Sequence, residues 1–281
     1  MARRREVGIT VWVYGAGKVG RALTKALRQQ GAATTLWPAR RGLPGLMDAD
    51  IIVLAIRDGD LRPLAETMSK ERVVPKNAVV VHVAGAFDAE PLAPLRARCA
   101  GVAQMHPLLS FASTRFSPDM AGSSALLQGD RAAVARAKRV ARLLGMKPWT
   151  IRGLDTALYH AAAGLVANGS AALAALGGEL LIRAGVAPGA APRMLAPLLR
   201  SVADNVQALG FPQALTGPVR RGDAAAVQKH LAILRAKLPR AVGLYLASVQ
   251  AQMPLARAIG DAPRANFDEI ERLIRARSRR V

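Results

Sequence analysis

Four short stretches of this 281-residue chain set polar, proton-carrying side chains beside small ones, as an enzyme must to hold a ligand close and move a proton. The first, VVVHVAGAF, ends an apolar run with Gly85 and Ala86, so the backbone there can pass close to a ligand; its His82 lies inside the run and reads as a packed strand residue. The second, GVAQMHPLLSF, ends on His106, where an imidazole at a strand end can face a cleft and position a substrate. The third, DTALYHAAAGLVANGSAALA, spaces His160, Gly164 and Asn168 along one stripe of a helix. There His160 is the candidate acid or base, Asn168 can orient a substrate oxygen, and Gly164 permits close approach. The fourth, LTGPVRRGD, offers Thr216, Arg220 and Arg221 to an anion, but reads better as a helix-entry loop capped by Asp223.

A ligand for these groups is suggested upstream. In VWVYGAGKVGRAL, Gly15, Gly17 and Gly20 form G-x-G-x-x-G between an apolar run and an amphipathic segment. Gly15 permits a tight turn, Gly17 leaves room for a pyrophosphate, and Gly20 lets helix and strand pack closely. The amides of Ala16, Lys18 and Val19 then join those of the glycines at a helix N-terminus, whose positive dipole end suits an anion. An NAD site usually places a carboxylate about 20 residues past the first glycine. Here TTLWPARRG has none, and Arg40 and Arg41 would attract a 2'-phosphate, so NADP is the expected cofactor.

These residues need a scaffold, and the hydrophobic pattern predicts one. Up to about residue 150, short apolar runs alternate with helical periodicity, the mark of βαβ units in a mainly parallel, doubly wound sheet. Strands are expected at Ile9 to Tyr14, Ala33 to Trp37, Ile51 to Ile56, Val79 to Val83, Val102 to Met105, Ser124 to Leu127 and Pro148 to Ile151. Helices are expected near 18 to 30, 60 to 71, 88 to 98 and 130 to 144. Beyond Asp155 the strand signal stops and the chain reads as all helix, broken at GVAPGAAP, GFPQALTGPVRRGD and GDAPRAN, with Asp223 and Asn266 as N-caps. Two domains follow: residues 1–152, α/β and Rossmann-like, binding the dinucleotide, and residues 153–281, helical, for substrate and dimerisation.

Composition narrows the function further. The net charge of +21 would suit nucleic acid or an anionic membrane, yet the arginines of DRAAVARAKRVARLLG lie off its apolar stripe, as on a solvated face. With only 4% aromatic residues and no recognised module, nucleic acid is not the expected partner. One cysteine excludes an internal disulfide, and four scattered histidines without cysteine partners suggest no metal site. The basic MARRREV runs directly into a strand with no secretory apolar segment, so a cytoplasmic protein is expected. Residues 156–182 could be mistaken for a membrane span, but His160, Asn168, Ser170 and Glu179 favour a helix buried by protein, with a homodimer covering it.

The motifs GAGKVG, HVAGA, HPLLSF, YHAAAGLVANG and LTGPVRRGD, in that order, resemble a bacterial family that joins a Rossmann-like domain to domain of unknown function 2520. The resemblance implies kinship with the group of pyrroline-5-carboxylate reductase, ketopantoate reductase and 6-phosphogluconate dehydrogenase, in which a helical dimerising domain follows the nucleotide domain. Many hydroxyacid members of that group carry a lysine four residues before an asparagine on the long first helix of the second domain. Asn168 matches that asparagine, but Gly164 stands where the lysine would be, leaving His160 to replace it. The expectation is an oxidoreductase that passes a hydride between NADP and a small-metabolite carbonyl or imine. The alternative is an NADP-binding sensor that uses the glycine turn and arginines without turnover.

Overall fold

A computed structural model describes residues 8–278; the basic segment read ahead of the first strand lies outside them. Chain contacts divide the protein into two compact units, Met1–Asn168 and Gly169–Val281.

In the first unit, seven strands form one sheet: β1 (Thr10–Tyr14), β2 (Ala33–Trp37), β3 (Ile51–Leu54), β4 (Val79–His82), β5 (Gly101–Pro107), β6 (Ser124–Gly129) and β7 (Lys147–Trp149). Their order is β2-β1-β3-β4-β5-β6-β7. All neighbouring pairs are parallel except β5 and β6, so the sheet is mainly parallel as the alternating pattern requires. The chain leaves β1 for β2 on one side and returns to β3 on the other, so a crevice forms beyond the carboxyl ends of β1 and β3.

Helices α1 (Lys18–Gln29) and α3 (Arg131–Leu143) cover one face of the sheet, packing Leu23, Leu27, Ala137 and Val140 against Val13, Val53, Val81 and Met105. Helix α2 (Leu61–Glu71) covers the other with Leu61, Ala65 and Met68 against Ile52, Leu54, Val80 and Val102. Both faces of the central strands are buried, which explains their continuous apolar runs. The expected helix over 88–98 is instead a short 3-10 segment, Glu90–Leu95. Pro91 and Pro94 remove the amides that an α-helix would need there.

Helix α4 (Thr156–Arg183) straddles the boundary between the units, and α5 (Ala191–Leu209), α6 (Ala224–Lys237), α7 (Ala241–Ile259) and α8 (Arg264–Ser278) complete the second. That unit is all helix, and its core joins Val227 and Leu231 of α6, Leu246 and Val249 of α7, and Phe267 and Ile270 of α8. Asp223 caps α6 by accepting from the Ala226 amide at 2.9 Å. Asn266 does not cap α8: Pro263 leads into a helix that starts two residues earlier, and Asn266 packs beside Gly222. A break without a glycine signal, at Leu238 to Arg240, separates α6 from α7 around Pro239.

The expectation that α4 is buried by protein is not met within one chain. None of its residues is buried, and Leu158 and Leu165 are 70% and 77% exposed. By length and composition alone it could cross a membrane.

Candidate active site

The glycine turn sits at the crevice, between β1 and α1. Gly15 has φ +112°, a conformation that side chains rarely adopt, and its amide donates to the Trp37 carbonyl at 2.8 Å. A Cβ on Gly15 would strike the Ala55 carbonyl just past β3, and one on Gly20 would strike the Gly15 carbonyl. Gly17 differs: nothing lies within 4 Å of where its Cβ would be. As the N-cap of α1, it offers no side chain to the first free amides of the helix. Two glycines therefore close the turn against its neighbours while the third keeps the approach to the helix end clear. This arrangement fits a pyrophosphate on the amides of residues 16–20.

Arg40 and Arg41 follow β2 on a 3-10 turn, Ala39–Arg41, both exposed. The turn is held by the Tyr14 hydroxyl, which donates to the carbonyls of Ala39 and Gly42 at 3.4 and 3.3 Å. Arg41 lies over the Trp37 ring, 5.6 Å from its centroid. Among the described residues neither arginine makes an ion pair, so both cations could meet a phosphate.

Two histidines meet at Gly85, just past β4, and a third holds the residue before it. A Cβ on Gly85 would lie 2.6 Å from His160 Nδ1 and 2.7 Å from His106 Nε2, so the space of the missing side chain is filled by two imidazoles. The rings of His106 and His160 are 6.2 Å apart, edge to face. His82 is fully buried and holds the loop: its Nε2 donates to the Asp88 carbonyl at 2.5 Å, and its Nδ1 accepts from the Ala84 amide at 3.2 Å. Gln104, its register partner on β5 and equally buried, donates from Nε2 to the Ala84 carbonyl at 2.9 Å. The backbone of Ala84, just before Gly85, is thus held at both its N–H and its carbonyl, and His82 has the packed strand role read from its position.

His106 stands at the end of β5 with its Nδ1 2.9 Å from the Tyr159 hydroxyl. Burial, then the neighbouring His160 and His82, pushes its pKa down to about 4, so at neutral pH the ring carries one N–H and no charge. Burial likewise raises the Tyr159 phenol above its ordinary value. On α4, Asn168 lies against Gly164, its Nδ2 3.9 Å from the Cβ that Gly164 lacks. His160, Gly164 and Asn168 therefore form the expected stripe, but only His160 reaches Gly85.

In the fourth stretch the Arg220 guanidinium bonds Asp261 at 2.6 Å through Nε and the carbonyls of Gln213 and Leu215 through Nη1, while Asp223 caps α6 at the end of the loop. Spacing along α4 singled out His160 and missed Tyr159 beside it. Gln104 was missed too, since one polar residue in an apolar strand carries no signal until its neighbour across the register is known. Among the described residues no group of three or more His, Cys, Asp or Glu could hold a metal ion.

Sheet order, glycine turn and helical second unit define a Rossmann-like domain joined to a helical domain. Residues 44–107 match the model of a Rossmann-like domain, and residues 123–252 match that of domain of unknown function 2520. No curated protein matches the chain. Solved structures share the fold. A Bacteroides fragilis protein provisionally assigned as an NADP oxidoreductase is 19% identical, with 88% of this chain and 98% of that one covered, at a TM-score of 0.69. The pyrroline carboxylate reductase of Plasmodium falciparum, solved with NADP bound, is 12% identical over 90% of this chain and 98% of its own, at 0.59. An imine reductase from Myxococcus stipitatus, in complex with NADP+, is 20% identical over 93% and 99%, at 0.54.

Proposed function

We propose that this chain is an NADP-dependent oxidoreductase acting on a carbonyl or imine of a small metabolite. The observation that carries the reading is the glycine turn: Gly15 and Gly20 are closed against neighbouring backbone, while Gly17 is open at the N-terminus of α1. The amides of Gly15, Ala16, Gly17, Lys18, Val19 and Gly20 hold the pyrophosphate, and Arg40 and Arg41 hold the 2'-phosphate. Gly85 borders the nicotinamide side. The bound cofactor supplies or accepts the hydride. His160 and His106, both against Gly85, handle the proton and position the substrate, and Asn168 orients its oxygen further along α4. NADP bound in structures sharing the fold supports the choice of cofactor, and an imine reductase among them supports the substrate class.

The protein works as a cytoplasmic homodimer in this reading, with a second copy of the chain covering the apolar side of α4. Incubation with NADPH and a panel of oxo acids and imines tests it. At least one substrate should consume the reduced-nicotinamide absorbance, and His160→Ala should slow that turnover by about 10²-fold or more while leaving NADPH affinity nearly intact. Binding of NADPH with no consumption across the panel would mark a sensor instead.

A further inference from the structure

The geometry points to Tyr159 as the residue that sets the tautomer of His106: its hydroxyl donates to Nδ1, so His106 presents an Nε2–H donor at Gly85 to a carbonyl oxygen or imine nitrogen. Tyr159 acts only through His106 and is a positioning residue.

The inference rests first on distance. The Tyr159 hydroxyl and His106 Nδ1 are 2.9 Å apart, a hydrogen bond between side chains 53 residues apart in sequence. The rings meet edge to face with centroids 5.6 Å apart, so the bond has little freedom to swing. Its direction follows from chemistry. A phenol is a far better proton donor than a neutral imidazole N–H, and an imidazole lone pair is a better acceptor than a phenol oxygen. Tyr159 therefore donates and Nδ1 accepts. A neutral imidazole with a lone pair on Nδ1 must carry its hydrogen on Nε2.

Nε2 is the atom that abuts Gly85, and no protein partner for it occurs among the described residues. The neutral state follows from the depressed pKa of His106. The donor is thus uncharged and suits a ligand atom that accepts, the C=O or C=N of the oxidised partner in the proposed reaction. An alcohol or amine that must lose a proton would need the opposite tautomer. The substrate class implied here rests on the oxidoreductase reading; the tautomer does not.

Long-range ¹H–¹⁵N correlation spectra of the full-length ¹⁵N-labelled protein at neutral pH read the tautomer with no substrate present. The inference expects His106 neutral and protonated on Nε2, with a Nδ1 signal shifted by an accepted hydrogen bond. Tyr159→Phe should move that Nδ1 signal to the position of a free lone pair. His82 should stay unchanged as the internal control, since the Ala84 amide and Asp88 carbonyl fix its tautomer independently. Protonation on Nδ1 in the parent protein would overturn the inference, and so would a Nδ1 signal indifferent to Tyr159→Phe. The parent spectrum decides by itself if the variant fails to fold. Calorimetry with NADPH on the same sample keeps the two claims apart: absent heat refutes the cofactor reading and leaves the tautomer result standing.

Discussion

Gly85 is the residue on which the site turns, because two imidazoles occupy the volume where any other residue would carry a Cβ. Its backbone is not in the left-handed region, so replacement by alanine incurs no conformational strain and its cost comes from contact alone. His106 cannot simply retreat, being tied to Tyr159, and the backbone of Ala84 beside Gly85 is held by His82 and Gln104. Gly85→Ala should therefore cost about 1–3 kcal/mol of stability. Gly17→Ala, in open space at an ordinary φ of −76°, should cost much less. Urea denaturation of the two variants side by side checks this, and equal midpoints would show that the imidazoles do not press on Gly85. Much at this scale was legible in the sequence: Gly15, Gly17, Gly20, His106 and His160 are singled out by type and spacing. The pairing of His106 with Tyr159 was not, because hydrophobic period and spacing describe local faces, whereas this contact joins the end of a strand to the start of a helix.

The elements were readable wherever one physical signal dominated. The strands were marked to within a few residues, most cleanly β3, β4 and β5, where burial on both faces leaves a continuous apolar run and no polar alternation to confuse it. Sequence periodicity found α1, α2 and α3 for the same reason: each presents one apolar stripe to the sheet. The segment at Glu90–Leu95 misled because its leucines, Leu92 and Leu95, keep a helical spacing while its prolines deny it the hydrogen bonds. Spacing reports which side is buried, and backbone donors decide how tightly the coil is wound. Asn266 misled in a related way: an asparagine with Glu269 three residues on imitates a capping box, but the helix already begins at Arg264, just after Pro263.

At the scale of the molecule, the unmet need is on α4. A helix with mean hydropathy of 1.5 over its most apolar window and no buried residue leaves much apolar surface in water, far more than scattered leucines explain. Leu165 and Val166, off the stripe carrying Gly164 and Asn168, remain exposed in the single chain. Covering them with a second copy predicts a dimer in sedimentation, and Leu165→Glu should weaken that dimer by tenfold or more, about 1.4 kcal/mol. A monomer at micromolar concentration would remove the homodimer from the account. Nothing in a single sequence separates a helix awaiting its partner from one buried in its own chain, since both are apolar all round. The central claim, that the turn after β1 holds a 2'-phosphorylated dinucleotide, is tested most directly by isothermal titration of NADPH and NADH at low ionic strength. The account predicts saturable heat with NADPH, affinity for NADH weaker by about tenfold or more, and most of that preference lost in Arg40→Ala/Arg41→Ala. No heat with either dinucleotide, or equal affinity for both, would contradict it.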